Sequence, residues 1–215
     1  MTRFQIVMLL TYVRAPLAIA SAAAAVINLF YPHFGWIVTT VLLLAISAFT
    51  DFLDGKYARK WNVVTRIGKL LDPLMDKMFF AVSLPTAMFI AMFLESTTHA
   101  IILLILEIVS ALRDQWVSFL RSVGSGLGAD VKAIFVGKLR TFLAMPIIIV
   151  IHVRLGLEVL QRRSDAHEGI NILIPNSVLY SIEIVFLLLT IVSAVIYTLQ
   201  YLPYLKLASK HDLSK

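Results

Sequence analysis

Between positions 51 and 76 the chain sets out Asp51, Asp54, Gly55, Ala58, Arg59, Gly68, Asp72 and Asp76 within a strongly apolar sequence. A carboxylate near a bilayer is expensive, so four together need compensation. A bound divalent cation supplies it, because hard cations take oxygen ligands and neutralise them. A set made only of carboxylates suits one or two Mg²⁺ or Mn²⁺ ions rather than zinc, which prefers His and Cys. Two such ions sit about 3.5–4 Å apart and clamp the oxygens of a phosphoryl displacement. The chain has no cysteine, which excludes disulfides, thiolate metal sites and cysteine nucleophiles. His33, His99, His152, His167 and His211 are scattered without ligand spacing and are expected as loop or interface residues.

A helix turns about 100° per residue, so Asp51, Asp54 and Ala58 share one face, with Gly55 and Arg59 at its edge. Gly68, Asp72 and Asp76 form a second stripe at the start of the next helix. A short connection from Lys60 to Ile67 is expected to return that helix antiparallel and to bring the stripes face to face. Gly55, Ala58 and Gly68 remove side chains where a flat or bulky group must approach the backbone, although small residues also serve helix contacts in membranes. Arg59 offers a planar fork suited to a diphosphate, and taken alone it also reads as a topology signal.

The elements that must hold this array are membrane helices. The chain has 215 residues, is 60% hydrophobic and 15% charged, and has a mean hydropathy of +0.88; a soluble domain carries about 25% charged residues. Six apolar blocks approach the roughly 20 residues needed to span a bilayer, at residues 8–30, 36–58, 70–94, 99–122, 136–156 and 178–201. The expected fold is an all-α integral membrane protein of six transmembrane helices in one domain, residues 1–215. Met1 to Leu29 has a basic start and an apolar run, but Arg14-Ala-Pro16 interrupts it and no clear small-residue cleavage site precedes a soluble domain; it is expected as a retained first helix. Residues 154–176 read as the longest loop.

Positive charge assigns the sides. Lys56, Arg59, Lys60, Arg66 and Lys69 lie between the second and third spans, and Arg113, Arg121, Lys132, Lys138 and Arg140 around the junction of the fourth and fifth. Both termini and the array are therefore expected to face the cytoplasm, with a bacterial inner membrane as the setting. The net charge of +6 suits loops facing an anionic leaflet, with no nucleic-acid partner. Trp36, Trp61 and Trp116 fall near span ends, as interfacial anchors do.

The string D-x2-D-G-x2-A-R-x8-G-x3-D-x3-D resembles the motif of the CDP-alcohol phosphatidyltransferase family, and all eight motif positions match. The resemblance implies transfer of a phosphatidyl group from CDP-diacylglycerol to a small alcohol, with release of CMP. It makes Asp51, Asp54, Asp72 and Asp76 the metal carboxylates, and Asp76 the catalytic base on the acceptor hydroxyl. It assigns Asp54, Gly55, Ala58, Arg59 and Gly68 to CDP binding. It also implies a homodimer; the acyl chains are expected in a groove open to the bilayer near the second and third spans.

Leu71-Asp72-Pro73-Leu74-Met75-Asp76-Lys77 is similar to the D-P-x-x-D-K wording of phosphatidylglycerophosphate synthases, and Leu10-Thr11-Tyr-Val-Arg14 to their L-T-x-x-R opening. The Asn-containing stretch before that opening is replaced here by Phe4-Gln-Ile-Val-Met8. That resemblance implies glycerol 3-phosphate as acceptor. Its phosphate wants Lys or Arg forks, and Arg113, Lys138 and Arg140 are the candidates, with Arg121 and Lys132 expected as loop charges. Inositol phosphate, serine and phosphatidylglycerol, the last as in cardiolipin synthases, stand as other acceptors. Outside enzymes, a divalent-cation transporter is the competing class, since intramembrane carboxylates also mark ion paths.

Overall fold

A computed structural model describes residues 2–63, 66–128, 134–163 and 174–212, without the side chains of 66, 67, 69, 70, 72, 73, 76 and 210–212. Among the described residues the chain forms six helices: α1 (Arg3–Phe30), α2 (Phe34–Lys60), α3 (Arg66–Phe93), α4 (Thr97–Gly126), α5 (Phe135–Arg163) and α6 (Asn176–Asp212). A capping box opens α1: Thr2 Oγ1 accepts from the Gln5 N–H, and Gln5 Oε1 accepts from the Thr2 N–H. Pro16 leaves α1 continuous. His33 caps α2 by accepting from the Gly35 N–H at 3.0 Å.

Four helices, α1, α2, α5 and α6, are long and apolar enough to cross a membrane. The described apolar part of α3 is shorter, Lys77–Phe93. Helix α4 carries Glu107, Arg113 and Asp114 in its body. Large apolar side chains such as Leu42, Phe49, Val185, Leu188 and Leu199 point outward, a distribution that costs nothing against lipid and would be a liability in water.

The core is formed by Phe79, Leu84, Ala87 and Ile90 of α3, Leu103 and Leu106 of α4, and Ile148, Ile151 and Leu155 of α5. Helix α1 packs on α2, α3 and α5; α3 also packs on α4 and α5; α6 packs on α4 and α5. The two aspartate-bearing helices are thus linked through α1, rather than by packing along each other among the described residues. Asn28 ties α1 to α5 by donating to the Gly156 carbonyl at 3.3 Å. Gly156 leaves room for Ile37 of α2, whose side chain a Cβ there would meet at 3.1 Å.

Three expectations are corrected. The stretch read as the long loop is helical as far as Arg163, because Arg154 is buried and bonded. It donates to Glu158 one turn on at 3.1 Å, to the Ile174 carbonyl at 3.0 Å and to Asn176 Oδ1 at 2.8 Å; residues 164–173 lie outside the described ones. His99 and His152 are buried helix residues, not loop or interface ones. His99 Nε2 lies 2.8 Å from Glu183 Oε1 of α6, and His152 Nδ1 lies 2.9 Å from the Ile148 carbonyl. His167 and Lys132, and the side chain of His211, lie outside the described residues. Finally, Arg121, expected as a loop charge, lies within α4, which continues to Gly126.

Candidate active site

Asp51 and Asp54 sit on the same face of α2, as their spacing requires, and Arg14 of α1 reaches both. Its Nη1 bonds Asp51 Oδ1, and its Nη2 donates to Asp54 Oδ2 at 2.9 Å. Thr11, one turn earlier on α1, also donates to Asp54 Oδ2 at 2.9 Å. Arg14 and Asp54 are buried, whereas the Asp51 side chain is 39% exposed. One Arg therefore holds two carboxylates at fixed spacing, a geometry the planar guanidinium supports and an ammonium does not. Two carboxylates against one guanidinium leave a net negative charge.

Gly55 lies on the neighbouring face, where among the described residues a Cβ would meet only the Arg59 side chain, at 3.9 Å. Arg59 is exposed and folded back, with Nε donating to the Gly55 carbonyl at 2.9 Å. Ala58 is half-buried. The second stripe opens α3: the backbone of Gly68, Asp72 and Asp76 is helical, and Gly68 is half-buried. The side chains of Asp72 and Asp76 lie outside the described ones, and among the described residues no three acidic or His side chains gather at one point. Lys77, next to Asp76, donates to Gln115 Oε1 of α4 at 3.0 Å. In type, the donors fit a hard divalent cation: Asp51 and Asp54 present only carboxylate oxygens, and Asp51 keeps part of its side chain open.

Asp51 borders a cavity of about 580 Å³ between α2, α4, α5 and α6. Its polar wall holds Arg113, Arg121, Lys138 and Thr141; its apolar wall holds Phe52, Val117, Phe142, Met145 and Pro146. Arg113, Val117 and Arg121 are four residues apart on α4 and so share a stripe. Arg121, expected as a loop charge, is instead helical, because α4 continues to Gly126. Gly137 lets Tyr197 of α6 close the floor, since a Cβ there would stand 2.7 Å from the Tyr197 hydroxyl. Arg113 and Lys138 thus share the cavity that Asp51 borders. Arg140 does not line it: it is buried, bonds Asp114 at 3.1 Å, and lies 5.1 Å and 5.6 Å from the Phe80 and Phe186 ring centres.

The model of the CDP-alcohol phosphatidyltransferase family matches residues 4–202. The chain belongs to that family. Among curated relatives of this family member, it is 38% identical over 101 residues to the CDP-diacylglycerol–glycerol-3-phosphate 3-phosphatidyltransferase of Bacillus subtilis, covering 47% of this chain and 48% of the relative. It is 52% identical over 46 residues to the Aquifex aeolicus protein of the same name, covering 21% of this chain and 26% of that one. It is 47% identical over 45 residues to the Streptomyces coelicolor cardiolipin synthase (CMP-forming), covering 21% and 20%. The match spans about half the length of the first relative and less of the others.

Sequence reasoning placed Arg14 and Thr11 in an opening motif but gave them no contact with the array. The available signal was Arg14 itself, a cation inside an apolar run that must find a carboxylate. The Arg113–Arg121 spacing of two helical turns was the signal for the cavity wall.

Proposed function

We propose that this protein transfers the phosphatidyl group of CDP-diacylglycerol to glycerol 3-phosphate, giving phosphatidylglycerophosphate and CMP. One observation carries the reading: Asp51, tied by Arg14 to Asp54 of the same family motif, borders the same cavity as three basic side chains, Arg113, Arg121 and Lys138. The carboxylate end suits a metal-dependent diphosphate site. The basic wall suits an acceptor that carries a phosphate. The apolar wall suits a lipid. The names of the Bacillus subtilis and Aquifex aeolicus relatives agree with this acceptor.

Asp51, Asp54, Asp72 and Asp76 would hold one or two Mg²⁺ or Mn²⁺ ions, which when bound draw charge from the diphosphate and make CMP a competent leaving group. Arg14 fixes the spacing of Asp51 and Asp54. Gly55, Ala58 and Gly68 leave room for the nucleotide, and Arg59 swings from its own helix to the diphosphate. Asp76 accepts the proton of the glycerol 3-phosphate hydroxyl. The freed oxygen attacks the phosphatidyl phosphorus, a new P–O bond forms, and the bond to CMP breaks with its electron pair leaving on CMP. Arg113, Arg121 and Lys138 hold the acceptor phosphate. The chain works as a multi-pass membrane protein, a homodimer, with the site and both termini at the cytoplasmic face.

Phosphatidylglycerol as acceptor is the second reading, favoured by the cardiolipin synthase relative. Purified protein offered CDP-diacylglycerol with glycerol 3-phosphate, inositol phosphate, inositol, serine or phosphatidylglycerol separates them, with products read by lipid mass spectrometry. Phosphatidylglycerophosphate is the expected product. Cardiolipin as the dominant product would transfer the assignment to the second reading, and cation flux without any lipid product would move the protein to the transporter class.

A further inference from the structure

Arg113 is more buried than Arg121 and Lys138 on the same wall. It is 9% exposed and lies in the body of α4. Its Nη1 donates to Asp114 Oδ1 at 2.9 Å, and its Nη2 donates to Ser193 Oγ of α6 at 2.5 Å. The Tyr197 ring, one turn further along α6, lies 5.3 Å from its guanidinium carbon. Nε has no hydrogen-bond partner among the described residues. Two of its five N–H groups are therefore engaged and one face is covered, and the second N–H of each terminal nitrogen remains for a ligand.

Asp114 is itself held. Arg140 Nη1 donates to both its oxygens, at 3.2 and 3.1 Å, from α5. Arg140 is 2% exposed, outside the cavity wall, and sits among the Phe80 and Phe186 rings, so it cannot swing to the cavity without leaving the core. The order of contacts is Arg140, Asp114, Arg113, Ser193, and it joins α5, α4 and α6 at the cavity.

We propose that Asp114, Ser193 and Arg140 are positioning residues that aim the Arg113 guanidinium at the acceptor's phosphate, with Arg140 acting through Asp114 and not on the phosphate. This rests on the acceptor reading above. It moves Arg140, which sequence reasoning grouped with the phosphate ligands, one step back from the ligand. The physical reason is that a buried Arg113 without its acceptors would relax toward any other carboxylate within reach, and a misaimed fork loses its bidentate geometry.

The experiment is steady-state kinetics on the full chain in mixed micelles, with glycerol 3-phosphate varied at saturating CDP-diacylglycerol and Mg²⁺. Ser193→Ala removes one hydroxyl and no charge, and Asp114→Asn removes the clamp. Both are expected to raise KM for glycerol 3-phosphate about three- to tenfold, with kcat and the KM for CDP-diacylglycerol within about twofold. Asp114→Glu is expected to recover most of the loss. Arg140→Gln is expected to raise KM as Asp114→Asn does, and the double variant no further, since groups acting through one contact are not additive. Multiplying effects of Arg140→Gln and Asp114→Asn would overturn the proposal by putting Arg140 on the phosphate. Unchanged KM in Ser193→Ala would overturn it as well, and that variant decides where Asp114→Asn does not fold. A wild-type protein that uses only uncharged acceptors would instead remove the acceptor reading on which the proposal rests, a result distinct from a glycerol 3-phosphate enzyme indifferent to these substitutions.

Discussion

Arg14 determines how the two α2 carboxylates present themselves. Asp54 is buried and accepts from both Arg14 and Thr11, while Asp51 reaches the cavity from the same guanidinium. Removing the cation would break a buried ion pair, a change that costs about 3–5 kcal/mol. Arg14→Lys keeps the charge but loses the fork. It is expected to weaken Mn²⁺ binding about 10- to 100-fold, as loss of a group orienting metal ligands does. Electron paramagnetic resonance titration of the detergent-solubilised protein reads this without catalysis, and equal Mn²⁺ affinity in the two proteins would contradict it. The array was legible in the sequence because spacing fixes a helical face. Its partner was not, because Arg14 lies 37 residues from Asp51, and no local period relates the two.

At the scale of elements, the cavity depends on how closely α5 approaches α6. Gly137 makes that approach, and Tyr197 then serves two neighbours: its ring covers Arg113, and its hydroxyl accepts from the Ile134 N–H at 3.3 Å. Gly137→Ala forces the ring away. It is expected to cost about 1–3 kcal/mol through overpacking and to raise KM for the phosphate-bearing acceptor. Thermal melting together with kinetics checks this, and a variant unchanged in both would show that the contact is slack. The six helices themselves followed from apolar block length, but their ends did not. Lys56 and Arg59 are charged yet α2 continues through them to Lys60, and Arg154, Glu158 and Arg162 continue α5 through ion pairs one turn apart. The surroundings of Arg140 were not legible for a related reason: its charge alone does not show that it packs against two aromatic rings.

On the whole-molecule scale, Arg14, Asp51, Arg113, Lys138 and Tyr197 come from five helices and meet around one site. The proposal that the site faces the cytoplasm draws on the basic residues Lys56, Arg59 and Lys60 at the end of α2. The absence of native cysteine makes this testable with single introduced thiols. Lys60→Cys is expected to resist an impermeant maleimide in intact cells and to react in inverted vesicles. Labelling in intact cells would reverse the topology.

The central claim is that the carboxylate array and the basic wall serve one phosphatidyl transfer. The most direct measurement is CMP release by the purified protein from CDP-diacylglycerol, with and without glycerol 3-phosphate, in Mg²⁺ and after chelation. The account predicts CMP release only when both the metal and the acceptor are present, in step with phosphatidylglycerophosphate formation. CMP release that persists after chelation, or that proceeds equally without an acceptor, would contradict it.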